Sequence, residues 1–261
     1  LLEKSMLPDK PKEYVLTHEI GTYECDFLGR WKLSAIFQQL TEAAGNHAAQ
    51  LGSGMEELGE YNLFWVYARI KLRVYRYPGA AERIRVQTWP KSLQQRLFYI
   101  RDFHLHDEQE KLIAAATSAW LVINGKDRKL VPPRKLEKLV LPNSPDKHGL
   151  DEPLEKLVMP DGGEECYRRT VRFSDLDVLG HMNNSRYVEG ICDAFDLNRY
   201  QSQEISWLQV NFDTEVRFGE ELAIFKHPME DQKGLFGIRG LNVSNDTRAF
   251  EAAVQFRPRQ D

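Results

Sequence analysis

Two segments of this 261-residue chain carry one pattern: Asp26-Phe27-Leu28-Gly29-Arg30-Trp31 is matched by Asp177-Val178-Leu179-Gly180-His181-Met182, with Asp, Leu and Gly in register. A second pair follows in the same order, Leu97-Phe98-Tyr99-Ile100-Arg101-Asp102-Phe103 and Leu235-Phe236-Gly237-Ile238-Arg239-Gly240-Leu241. Two matches in one order at similar offsets read as duplication of one unit, which limits the chain to architectures built from two like halves. At about 150 residues per domain, a chain of this length has room for two cores.

Each copy reads the same way. After the Asp-x-Leu-Gly turn, Leu33, Ile36, Phe37, Leu40, Ala44, Ala48 and Leu51 recur at steps of three and four, which lines one side of a helix of about five turns ending near Gly52. The second copy repeats the spacing with Tyr187, Val188, Ile191 and Phe195 over a shorter helix, with Asn183 or Asn184 as its N-cap. Strands follow. Over 64–74 the even positions are apolar while Arg69, Lys71 and Arg73 alternate with them, the period of a half-buried strand. Further strands are expected at 83–89, 97–105 and 112–123, and in the second copy at 207–218, 222–226, 234–243 and 248–256. The fold class is therefore α+β, two long-helix-plus-antiparallel-sheet units in one chain, because the long helix is what each sheet has to cover its apolar face. The units are expected at 1–130 and 162–261. Between them 131–161 reads as a linker, rich in Pro and charge.

Composition narrows the function. A hydrophobic share of 42% with 28% charged residues fits a globular protein, and no apolar run reaches the ~20 residues that span a bilayer. Residues 1–12 lack the charged-then-apolar pattern of a signal peptide, so a cytoplasmic location is expected. Cys25, Cys166 and Cys192 form no C-x-x-C pair and suggest neither disulfides nor zinc. The net charge of −4 gives no reason to bind nucleic acid. There is no G-x-S-x-G elbow, no H-E-x-x-H pair and no phosphate loop, so neither metal nor cofactor is expected. Two basic runs stand out, Arg69 to Arg76 and Lys126 to Lys135.

Several stretches in order resemble the plant and bacterial acyl-acyl carrier protein thioesterases, a double (tandem) hot dog family. They include Leu40-Thr41-Glu42-Ala43-Ala44-Gly45-Asn46-His47, Asn62-Leu63-Phe64-Trp65-Val66-Tyr67-Ala68-Arg69, Arg76-Tyr77-Pro78, Ala119-Trp120-Leu121-Val122 and, most specifically, Ser174 through Asn184 with Tyr187 following. The resemblance covers nearly the whole chain. It implies hydrolysis of fatty acyl-acyl carrier protein thioesters, with the active site in the second unit on Asp177, His181 and Glu215, and the acyl chain enclosed by the first. Two positions depart from the family pattern: Leu179 stands where plant members carry an Asn, and Val216 where they carry a Cys, so no Cys at that place can act.

These residue types suit the chemistry. A carboxylate can activate water, a neighbouring His can carry the proton, and the helix that starts after His181 presents N–H groups for an oxyanion. In the first copy Arg30 replaces His181, so that copy lacks the acid–base group. Asn183 and Asn184 are candidates for substrate binding. Asp177 has an alternative reading as a turn residue bonding nearby amides. Strict alternation would put Glu215 on the face opposite Val210 and Phe212, so it reaches a pocket only at a strand end, a bulge or the seam between units. His47 reads as a core histidine, and Met182 and Tyr187 as packing residues. The partner implied is acyl carrier protein, whose acidity the basic runs would complement, and a homodimer is compatible. The rival readings are a hydroxyacyl thioester dehydratase, a coenzyme A thioesterase and a non-catalytic acyl-binding protein.

Overall fold

Hydrophobic spacing decides where the elements fall in the computed structural model, which describes residues 10–136, 139, 141–159, 162–229 and 233–259. Residues 1–9, used above to argue location, and Pro160 and Asp161 of the linker lie outside the described residues. The first copy contains β1 (Tyr14–Glu19), α1 (Leu33–Gln50), α2 (Met55–Gly59), β2 (Leu63–Val74), β3 (Arg83–Gln94), β4 (Phe98–His106) and β5 (Leu112–Asn124). The second contains β6 (Glu164–Thr170), α3 (Asn184–Asp193), α4 (Leu197–Ser202), β7 (Gln203–Phe212), β8 (Glu221–Pro228), β9 (Leu235–Asn242) and β10 (Thr247–Pro258).

All ten strands join one antiparallel sheet in the order β1-β3-β4-β5-β2-β7-β10-β9-β8-β6, which reads alike from both ends. The copies meet where β2 pairs with β7, with Ile70 opposite Val210, Lys71 opposite Gln209 and Leu72 opposite Leu208. A pseudo-twofold axis therefore passes at Lys71 and Gln209. Helices α1 and α3 lie against each other, and Gln38 Nε2 donates to Ser185 Oγ across the seam at 3.2 Å. On α1 the residues spaced by three and four, Leu33, Ile36, Phe37, Leu40, Ala44 and Ala48, are all buried. Each large one contributes about 1.5–3 kcal/mol by leaving water, so Leu40→Ala is expected to cost roughly 2–5 kcal/mol.

The structure corrects the sequence reading in four places. The alternation expected along 64–74 is broken by a β-bulge between Tyr67 and Arg69, so Tyr67 faces the core together with Ile70, Leu72 and Val74 while Ala68 packs on the outer face. The strand expected at 207–218 starts at Gln203 and stops at Phe212. Strands β1 and β6 were not anticipated. The fourth correction concerns the second repeat pair. Ile70 pairs with Ser118, which pairs with Arg101; Leu208, equivalent to Ile70, pairs with Val254, which pairs with Phe236. Arg101 thus corresponds to Phe236. Its sequence match, Arg239, points to the outer face, where it donates to the Met159 carbonyl at 3.1 Å.

The linker is not a free tether. Leu154 is buried against Phe98, Ile100 and Ala119 on the outer face of the first sheet half, and the Gly149 N–H donates to Asp102 Oδ2 at 2.8 Å. A side chain at 149 would come within 2.5 Å of the Ala116 carbonyl oxygen, so only glycine allows this approach.

Candidate active site

The repeated Asp-x-Leu-Gly segment forms the same loop twice. In the second copy Asp177 Oδ1 accepts from the N–H groups of Leu179 (2.9 Å) and His181 (3.1 Å), and the Asp177 N–H donates to the His181 carbonyl at 2.8 Å. In the first, Asp26 Oδ1 accepts from Leu28 (2.9 Å) and Arg30 (3.0 Å), and the Asp26 N–H donates to the Arg30 carbonyl at 2.8 Å. Gly180 and Gly29 hold φ of 78° and 75°, the left-handed conformation that glycine adopts without strain. Asp177 therefore shapes the loop, as its reading as a turn residue supposed.

The loop delivers His181 to Glu215. The ring Nε2 lies 3.0 Å from Glu215 Oε2. Glu215 reaches this place because β7 has already ended, so alternation no longer fixes its direction. Its neighbour Val216 is pinned on both sides: its carbonyl accepts from the Met182 N–H at 2.9 Å, and its N–H donates to the Tyr187 hydroxyl at 3.2 Å. Tyr187 was read as packing alone, yet its hydroxyl helps set the backbone that carries Glu215. Burial pushes that phenol well above the ordinary tyrosine range, so it stays protonated. On the other side, Arg128 of the first copy forms an ion pair with Glu215 Oε1. Arg128 belongs to a basic run that the sequence could place only as a charged surface.

The first copy has no such pair. There Trp31 N–H donates to the Pro78 carbonyl at 2.8 Å, as Met182 does to Val216, so Tyr77 stands where Glu215 would be. Arg30 holds the place of His181, bound to Asp26 Oδ2 through Nε (3.1 Å) and Nη2 (3.0 Å) and lying over the Tyr77 ring at 5.5 Å.

An apolar cavity runs beside the His181 loop. It is lined by Thr41, Ala44, Gly45 and Ala48 of α1, Met55 and Leu58 of α2, Phe64, Trp65, Tyr99, Arg101 and Trp120 of the sheet, and Leu179, and holds about 910 Å³ of space, part of it open to solvent. Among the described residues Leu179 is the one lining residue from the second copy, and it sits between Asp177 and His181 in the sequence. The small residues of α1 make the room. Aligning the helix starts at Lys32 and Asn183 sets Phe195 against Ala44, and Phe195 closes the layer in the second copy by packing on Phe236 (5.1 Å between centroids) and Phe256 (4.8 Å).

Asn183 is the N-cap of α3, its Oδ1 accepting from the Ser185 N–H at 2.9 Å and from the Ser185 hydroxyl at 2.8 Å. Neither it nor Asn184 lines the cavity. His47 is fully buried, with Nε2 2.9 Å from the Pro11 carbonyl and Nδ1 3.0 Å from Arg101 Nη1. Among the described residues no cluster of three or more His, Cys, Asp or Glu side chains is placed to hold a metal ion, and no helix is long and apolar enough to cross a membrane.

Comparison with known proteins adds to this geometry. The family model for the acyl-ACP (acyl carrier protein) thioesterase N-terminal domain matches residues 11–135, and that for the C-terminal domain matches 161–258. The chain is similar to the chloroplastic palmitoyl-acyl carrier protein thioesterase of Gossypium hirsutum, 30% identical over 208 residues that cover 74% of this chain and 49% of that one. The chain spans about half the length of several such curated relatives. Among solved structures, an acyl-ACP thioesterase from Bacteroides thetaiotaomicron superposes with a TM-score of 0.80 at 28% identity, over 94% of this chain and 98% of that one. The 12:0-ACP thioesterase of Umbellularia californica, at 22% identity and a TM-score of 0.83 over 97% and 100% of the two chains, shares the fold. That fold is the double hot dog.

Proposed function

We propose that this chain, which belongs to the acyl-ACP thioesterase family, hydrolyses fatty acyl thioesters carried on acyl carrier protein. The observation that carries this reading is the His181–Glu215 pair at 3.0 Å beside a cavity whose apolar wall includes Leu179. An acyl chain in the first copy's cavity sets its thioester carbonyl near the loop of the second. No protein nucleophile attacks the carbonyl carbon; water gives up a proton to the His181–Glu215 pair as its oxygen bonds to that carbon. The tetrahedral oxyanion is stabilised by the positive end of α3. When the C–S bond breaks, His181 returns the proton to the departing thiolate, leaving a free acid and a thiol. Asp177 acts by holding the loop that presents His181.

Leu179 fits this assignment. With a leucine at that place the loop offers no amide side chain to a substrate, and the mouth of the cavity is apolar. The acid–base work then rests on His181 and Glu215. The carrier protein is supported by the basic turn around Arg128, since an acidic partner meeting Lys126, Arg128 and Lys129 would be steered toward Glu215.

The test is thiol release from matched acyl carrier protein and coenzyme A esters, with the organic product identified. Free acid and free thiol from the carrier esters support the reading. Release only from coenzyme A esters transfers the activity to that substrate class, and a 3-hydroxyacyl ester that loses water with its thioester intact replaces hydrolysis by dehydration.

A further inference from the structure

Among the described residues one charged side chain lines the cavity, that of Arg101, and its surroundings are unusual for a guanidinium. Arg101 is 7% exposed. Its Nη1 donates to His47 Nδ1 at 3.0 Å and to Thr88 Oγ1 at 3.2 Å, and both partners are neutral. His47 must accept at Nδ1, because Nε2 is occupied in donating to the Pro11 carbonyl. Among the described residues no carboxylate comes within ion-pair distance of Arg101. Burial lowers its pKa only to about 10, so it remains a cation at neutral pH.

A buried charge without a counter-ion is costly, and the second copy avoids it by placing Phe236 at the equivalent position. Two of the other polar lining groups are engaged with the backbone: the Thr41 hydroxyl donates to the Phe37 carbonyl at 3.0 Å and the Ser53 hydroxyl to the Ala48 carbonyl at 3.1 Å. An all-methylene chain would leave the Arg101 charge without a counter-ion, with only the neutral His47 and Thr88 as partners.

We infer that the cavity accepts acyl chains bearing an acceptor oxygen beyond the thioester, a carboxylate above all and an oxo or hydroxyl group by the same chemistry, and that Arg101 is the residue selecting them. This rests on the cavity being the acyl site of the proposed hydrolase. A guanidinium can bind a carboxylate through two parallel N–H bonds, which a hydroxyl or ketone cannot match.

The experiment is equilibrium binding of fatty acid methyl esters, which present no carboxylate at the ester end, in matched sets of equal length. One set ends in methyl, one in an ω-carboxylate, and others carry an oxo or hydroxyl group at successive carbons. The wild type is expected to bind at least one oxygen-bearing ester about tenfold or more tightly than its methyl-ended match. That ratio should fall to about one in Arg101→Met and be partly kept in Arg101→Lys. A wild-type ratio of one or below for every substituted ester overturns the inference, as does a ratio that survives in folded Arg101→Met. Should Arg101→Met not fold, the wild-type ratios decide alone. Binding is read without turnover, so failure of hydrolysis and failure of this inference are separate results.

Discussion

Arg128, on the turn that follows the last strand of the first copy, pairs with Glu215 of the second through the carboxylate oxygen opposite the one that faces His181. One copy thus orients the carboxylate that the other uses. Both side chains are about one-third exposed, so the pair adds at most about 1 kcal/mol to stability. Its effect should be on the reaction. Arg128→Ala is expected to lower kcat by roughly ten- to a hundredfold through misplacement of Glu215, with the melting temperature nearly unchanged and activity partly restored in Arg128→Lys. Equal loss in the alanine and lysine variants would count against an orienting role.

Asp26 and Asp177 provide an internal control, since each bonds two backbone N–H groups of its own loop. Either aspartate replaced by alanine is expected to cost about 1–3 kcal/mol in denaturant unfolding, because charge-assisted bonds are lost. Only Asp177→Ala should also depress hydrolysis, since only its loop carries His181. Asp177→Asn keeps an acceptor oxygen and should retain most of the stability.

Ala44 lines the cavity, and Phe195 is what the second copy has there. Ala44→Phe should shift the preferred acyl chain to shorter lengths, at a stability cost of roughly 1–3 kcal/mol for overpacking. A panel of esters of increasing length reads this directly. An unchanged profile in the folded variant would mean that the acyl chain lies elsewhere.

Acid should weaken the fold through His47. Burial first, and then the neighbouring Arg101, lower its pKa from 6.5 to about 4. Between those values the unfolded chain binds a proton that the folded one refuses, so stability falls as pH drops from about 6.5 towards 4. The loss from this group is roughly 3 kcal/mol at most. His104, also lowered mainly by burial, acts in the same direction. Denaturant midpoints measured across this range should be flatter for His47→Gln than for the wild type.

The duplication, both long helices and eight of the strands were legible because each has a period that the core enforces. The two edge strands were not. In β6 four of seven residues are charged, Glu164, Glu165, Arg168 and Arg169, and charge at a sheet edge discourages further pairing while erasing the apolar alternation that marks a strand. The bulge at Tyr67 was hidden for a related reason: Val66 and Ala68 are apolar on what becomes the other side, so the sequence looks like one unbroken face. Similarity between Arg101 and Arg239 misled because short matches carry no register, and register through Ser118 and Val254 assigns them to opposite faces.

At the site, the loop of Asp177 and His181 stood out from its repeat and its family resemblance. The environment of Glu215 could not be read, since it depends on where β7 stops and on an arginine 87 positions earlier in the other copy. Asn183 was legible as a cap, its Oδ1 accepting from the N–H and the hydroxyl of Ser185.

The most direct test of the His181–Glu215 assignment is thiol release at saturating acyl carrier protein ester by the wild type and by Glu215→Gln, with folding of the variant verified. The account predicts release by the wild type and a loss of about a hundredfold or more in kcat for Glu215→Gln, because the amide cannot take a proton from water or hold a protonated His181. A folded Glu215→Gln that works within a few-fold of the wild type would contradict it and move the chemistry away from this pair.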